Sequence, residues 1–293
     1  MHLRIHHRTT FAYAGKAHDS FNETRLRPID DASQRCHEFK LRTTPGTTPR
    51  QYGDFNGNAV NYFEIIEQHS VLIIESISSV ETTPLVERPA VPRVAPEDLE
   101  RSPEREMQAE FFSTSHYVPL ELELWRESQD ALAEGRSDVW SDVRRMGGHI
   151  YRRFAYRPNS TGASTRATDV LKLRMGVCQD FAHVHLGMCR SMGIPARYVS
   201  GYFFNTTRRP REIEASHAWI EAWVPGYGWA AYDPTHDRVP DERYVKVAVG
   251  RDYADIRPVS GTYRGAPTRS LKVHVTVREM RPPVRLPAET AKL

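Results

Sequence analysis

Cys178, His217 and Asp233 follow one another along the chain and supply a thiol, a base and an orienting acid. That is the minimal set for acyl transfer through a thioester. Each stands in a local setting suited to the role. Gly176-Val177-Cys178-Gln179-Asp180-Phe181 places the thiol at the start of an amphipathic helix. Ser216-His217-Ala218-Trp219 opens an aromatic-rich strand that can hold an imidazole, and Tyr232-Asp233-Pro234-Thr235 ends the next strand with a carboxylate. An ordinary thiol is mostly protonated at neutral pH. Amides at a helix N-terminus stabilise a nearby anion by about 0.3–1 kcal/mol, and a protonated imidazole partner adds to this. The same unpaired amides, that of Cys178 included, are donors for the oxyanion of a tetrahedral intermediate.

His217 and Asp233 are coupled by strand register. If the loop between their strands has an odd count, Pro225 to Tyr227, then Val224 faces Gly228 and Asp233 falls opposite Trp219. The carboxylate then shares the face of His217, one diagonal step away. An even loop puts the two on opposite faces, so the triad requires the odd register.

Other reactive side chains fit quieter roles. Cys36 and Cys189 read as structural thiols, the latter on the same helix as Cys178 but three turns down. Three cysteines without regular spacing make no disulfide framework. His185 lies about 10 Å beyond Cys178 along the helix axis at 1.5 Å per residue, so it reads as a hydrogen-bonded core histidine. No pair of close cysteines accompanies it or His183, and no metal site is expected. Asp180 fits a cap at the helix start. Tyr156, Gln179 and Trp219 are further candidates to wall the cleft or to donate to the oxyanion.

The elements around these residues divide the chain. Residues 1–83 read as an antiparallel β domain, with period-two runs at Arg4–Tyr13 and His37–Arg42 and a hairpin turn at Asp54–Asn58. Five prolines between Pro84 and Pro103 mark a linker. Residues 104–280 then form the core, with helices at Glu104–Phe112, Glu121–Ala133 and Ser137–Phe154, the last capped by Ser137. A further helix runs from Cys178 to Met192 and stops at Gly193. Strands follow at Ala196–Phe204, Ala218–Val224, Trp229–Asp233 and Leu271–Arg278, and the tail 281–293 is loose. The 293 residues, 39% apolar and 26% charged, suit a soluble protein of two modest cores. A net charge of +3 with scattered arginines argues against nucleic acid. The N-terminus lacks a signal-peptide core and no apolar run spans a bilayer, so no membrane partner and a cytoplasmic location are expected.

The segments at 176–183, Gly193-Ile194-Pro195-Ala196-Arg197-Tyr198-Val199-Ser200-Gly201-Tyr202, Ser216-His217-Ala218-Trp219, Asp233-Pro234-Thr235 and Gly250–Asp255 together resemble the bacterial transglutaminase-like family. The likeness covers roughly residues 1–280, the β-rich N-terminal part included. It implies an α+β fold: a papain-like core, in which a cysteine-bearing helix packs on an antiparallel sheet, preceded by an all-β sandwich-like domain. It also implies Cys178 as nucleophile, His217 as general base and acid, and Asp233 as its orienting partner. No counterpart of the calcium-binding loops of animal transglutaminases is present, so no cofactor is implied. The implied activity is attack on a peptide or isopeptide carboxamide through a Cys178 thioester, with the acyl group passed to an amine or water. A cysteine peptidase or amidase with the same triad is the runner-up, and a non-catalytic binding module is the reading of another class. The implied partner is a peptide or protein amide, with a hint of a small peptide.

Overall fold

One long strand organises the N-terminal third. In β1 (His2–Thr24) side chains alternate between buried Leu3, Ile5, His7, Thr9, Phe11 and Tyr13 and more exposed neighbours, as a strand covered on one face requires. The computed structural model describes every residue except Ala163, 206–215, Thr268 and 281–293, so the tail expected to be loose lies outside the described residues. After β1 come β2 (Gln34–Thr44), β3 (Arg50–Gly53), β4 (Ala59–Ile65) and β5 (His69–Thr82). The first half of β1 pairs with β5 and its second half with β4. Between Ala12 and Ala17 the pairing with β5 breaks at a bulge. There Gly15 takes φ +119°, which a side chain would resist.

The linker is partly helical. Pro96 and Pro103 begin two short helices, α1 (Pro96–Arg101) and α2 (Pro103–Glu106), because proline at the first helical position sacrifices no hydrogen bond. The single helix expected over Glu104–Phe112 is broken into α2 and a 3-10 turn at Ala109–Phe112.

Next come α3 (Leu122–Ala131), α4 (Val139–Arg153), β6 (Ala155–Tyr156), α5 (Ala167–Leu173), β7 (Met175–Gly176) and α6 (Cys178–Ser191). Asp138, not Ser137, caps α4: its carboxylate accepts from the Ser141 amide at 3.0 Å. Strands β8 (Ala196–Phe203), β9 (Ser216–Val224), β10 (Gly228–Tyr232) and β11 (Tyr244–Gly250) form a sheet in the order β10-β9-β8-β11. Helix α6 lies between this sheet and helices α3, α4 and α5. It is therefore covered on nearly every side, with Phe181, Val184, Leu186, Met188 and Cys189 all buried. Two of its buried polar side chains reach carbonyls on neighbouring segments. His185 Nε2 meets the Val143 carbonyl at 2.9 Å, and the Arg190 guanidinium donates to the carbonyls of Ala196, Ser113 and Arg251. His185 is thus the core histidine the sequence suggests.

The chain closes with β12 (Val259–Gly265) and β13 (Arg269–Glu279), and neither joins the core sheet. Both pair with β1, β13 over Leu3–Tyr13 and β12 over Ala17–Thr24. The strand expected to end the core therefore completes the N-terminal sheet. Its alternation was legible, but nothing local says which open edge it will satisfy. The result is α+β: an antiparallel seven-stranded sheet beside a helix-and-sheet core.

The two parts dock through side chains that imitate backbone. Gln34 accepts from the Lys246 amide at 2.7 Å and donates to the Lys246 carbonyl at 2.7 Å. Asn58 does the same for Val249, at 2.8 Å each way. Both pairs lie on β11, so two amide side chains satisfy an edge that would otherwise be left open.

Candidate active site

The turn between β9 and β10 sets the register. Val224 pairs with Gly228, Trp223 with Trp229 and Tyr232 with Ile220, so the loop has the odd count the triad requires. Asp233 follows β10 directly, and its Oδ2 lies 2.8 Å from His217 Nε2. The ring presents its other nitrogen away from the acid, and Cys178 and His217 line the same cavity. The structure thus brings Cys178, His217 and Asp233 together.

The thiol's place comes from the start of α6. Asp180, third in the helix, reaches back to accept from the Val177 amide at 2.8 Å and takes the Thr161 hydroxyl at 2.6 Å. Gly176 leaves room for that carboxylate: a Cβ there would lie 2.7 Å from the Asp180 Cβ. Cys178 is half-buried at the helix end, where its amide has no partner within the helix. Burial raises the Asp180 pKa against its two hydrogen bonds.

Electrostatics favour a charged ring. Burial alone would lower the His217 pKa, but the Asp233 carboxylate and the Cys178 side chain outweigh it and raise the value to about 10. Burial likewise works against the Asp233 charge, yet His217 and His236 hold this carboxyl well below the usual carboxylate range. Burial raises the Cys36 thiol and pushes that of Cys189 well above an ordinary thiol.

Two partners of Asp233 escape a reading by sequence. His236 Nδ1 lies 2.7 Å from Asp233 Oδ2, and the Tyr244 hydroxyl donates to the same oxygen at 2.7 Å. Asp233 Oδ1 accepts from the Thr235 amide at 2.8 Å. His236 could have been suspected from its spacing three residues after the acid. Tyr244 arrives on β11, and no local signal announces it. His217, Asp233 and His236 place ligand atoms within 4.8 Å of one another, as a metal site would. In this arrangement the carboxylate instead receives both rings as hydrogen-bond partners.

Of the remaining candidates, Gln179 lines the cavity in front of the thiol, whereas Trp219 does not. Trp219 is buried behind His217, its ring 6.1 Å away and nearly parallel, and packs against Tyr244. Tyr156 is half-exposed, meets Phe181 edge-on at 6.1 Å and stands outside the lining residues.

The cavity holds about 460 Å³ and runs between the two parts of the molecule. Cys178, Gln179 and His217 line the core side, and His7, Phe11, Leu271 and Val273 line the N-terminal side. The N-terminal sheet is therefore a wall of the site. The link is direct: His7 Nδ1 lies 2.9 Å from the Tyr202 hydroxyl, and burial lowers the His7 pKa to about 4, leaving a neutral ring.

Two family models match the chain: the transglutaminase-like superfamily over residues 127–234 and the bacterial transglutaminase-like N-terminal region over residues 3–81. An uncharacterized protein of Mycobacterium leprae is 35% identical, over 95% of this chain and 99% of its own length. A protein-glutamine gamma-glutamyltransferase of Pseudomonas aeruginosa is 34% identical over 127 residues, 39% of this chain and 19% of that protein. The crystal structure of a "putative cysteine protease" from Cytophaga hutchinsonii superposes with a TM-score of 0.75 at 25% identity, covering 96% of this chain and 91% of that one.

Proposed function

Because the chain belongs to the bacterial transglutaminase-like family, we propose that it is a thiol enzyme that breaks peptide or isopeptide amides through a Cys178 thioester. The supporting observation is the 2.8 Å hydrogen bond between His217 and Asp233, beside Cys178 in one cavity. In this reading the Cys178 thiolate attacks the amide carbonyl, and the oxyanion is received by the Cys178 amide at the helix N-terminus. The C–N bond then breaks, and the proton on His217 passes to the departing amine. An amine or water next attacks the thioester, His217 takes its proton, and the thiolate leaves. An amine acceptor gives transamidation and water gives hydrolysis. Asp233 keeps the ring oriented and stabilises its positive charge throughout.

Hydrolysis is the second reading, favoured by the likeness across nearly the whole chain to the Cytophaga hutchinsonii structure named as a cysteine protease. A glutamine peptide offered with a labelled primary amine separates the two: incorporated label marks transfer, while free acid alone marks hydrolysis. Cys178→Ala should abolish either reaction and leave the melting temperature nearly unchanged. Iodoacetamide should label Cys178 far faster than Cys36 or Cys189. Uniform sluggishness of all three thiols would overturn the enzyme reading and favour a binding module. Among the described residues no helix is long and apolar enough to cross a membrane. A cytoplasmic site of action is part of this proposal, and fractionation of cells would test it.

A further inference from the structure

The wall that the N-terminal sheet contributes has a chemistry of its own. Arg269, Leu271, Val273 and Val275 alternate along β13 and all line the cavity that holds Cys178. Val275 pairs with His7, beside the core, and each step of two residues leads outward to Arg269, opposite Tyr13. Leu271 is 57% exposed and Val273 51% exposed, unusual for large apolar side chains in a row on a sheet face. The row ends in a cation. The Arg269 guanidinium lies 4.7 Å over the Phe11 ring and 5.5 Å over that of Tyr263, and among the described residues it makes no ion pair.

The charge balance of the cavity is one-sided. Its described lining includes two arginines, Arg25 and Arg269, and neither Asp nor Glu. Arg25 is already engaged by Asp54 at 3.1 Å and Glu23 at 3.4 Å. Arg269 is held instead by aromatic faces, which orient a guanidinium without neutralising it. A cavity of about 460 Å³ accommodates a short peptide rather than a folded chain.

We infer that the groove takes a short apolar peptide bearing a free carboxylate, its side chains along Val275, Val273 and Leu271 and its carboxylate on Arg269. The inference rests on the thiol-enzyme reading and names the substrate class of that site. Arg269 is suited to the task because its fork can meet a carboxylate with two parallel hydrogen bonds. The N-terminal sheet then selects the substrate that the core cleaves.

The test uses two electrophiles of equal length, N-iodoacetyl-Leu-Ala-Leu-Ala-Leu as free acid and as C-terminal amide, long enough to follow the six residues from Val275 to Arg269 at about 3.4 Å each. Labelling of Cys178 in the full chain is followed by mass spectrometry. The acid should react faster than the amide by about tenfold, the size of one charge-assisted pair. Expressing each variant's rate as acid over amide cancels any general change at the thiol. Arg269→Gln should bring that ratio to about one, Arg269→Lys should keep part of it, and added salt should lower it in the unaltered protein. Equal rates for acid and amide, or a preference that survives Arg269→Gln, would overturn the inference while leaving Cys178 a reactive thiol. Reaction no faster than that of Cys36 would remove the enzyme reading itself, and the inference with it.

Discussion

Asp233 is fully buried and accepts from two imidazoles, a phenol and a backbone amide. So many donors make the carboxylate hard to protonate and hold the His217 ring in one orientation. Asp233→Asn should lower turnover by about 10²- to 10⁴-fold, because an amide cannot stabilise the imidazolium and can favour the wrong tautomer. It should also cost about 1–3 kcal/mol of stability, read from urea unfolding, since buried donors lose a charged acceptor. Tyr244→Phe, which removes a single donor, should cost only about 1 kcal/mol. The pH dependence is cleanest in Cys178→Ala, where the ring titrates beside Asp233 alone. A ring whose folded pKa lies above its unfolded value of about 6.5 contributes stability that is complete below that pH. The contribution is lost as the pH climbs toward the folded value, about 10 with the thiol present. The urea midpoint of Cys178→Ala should therefore fall between pH 6 and 9, and adding Asp233→Asn should flatten the trend. A flat profile in Cys178→Ala itself would show that the acid does not hold the ring charged. The three central residues were legible because each sits inside its own local pattern. Tyr244 and Arg269 were not, because each reaches the cavity region from a strand whose position only the folded chain decides.

Among the elements, α6 and the hairpin of β9 and β10 carry the geometry. The helix start was readable from its glycine and its acid, and the register from the parity of one loop. The break in the helix expected at 104–112 and the cap at Asp138 were less readable, since short helices and adjacent polar residues give nearly equal local signals. Gly201 shows how closely the sheet is fitted. A Cβ there would collide with the Val245 carbonyl oxygen on β11 and with the Trp219 ring that backs His217. Gly201→Ala should therefore destabilise the protein by about 1–3 kcal/mol, the range of overpacking in a tight core. Because the displaced indole lies behind the imidazole, turnover should fall as well. Intact turnover with a lowered melting temperature would mean that the ring keeps its place without the indole.

For the whole molecule, the interface between the parts matters more than either part alone. Gln34 and Asn58 stitch the N-terminal sheet to β11, and the Lys246 ammonium joins Asp31 at 2.7 Å on one part and Glu221 on the other. Asn58→Leu leaves the Val249 amide and carbonyl without partners, so it should lower stability by about 2–4 kcal/mol. It should also loosen the cavity wall, raising KM more than it lowers kcat. A change in kcat alone would place the effect at the thiol rather than at the wall. The two-part organisation could be read from the proline-rich linker, but the return of β13 to β1 could not, because a strand's alternation names a face and not a partner. That return has a consequence for biosynthesis. On the ribosome, α6 and the sheet that carries His217 emerge well before β13, so Cys178 and His217 can be assembled while one side of their groove is still missing. On the proposed function, selectivity would then arrive after reactivity, and a nascent chain stalled short of β13 would carry its thiol without the Arg269 row that faces it.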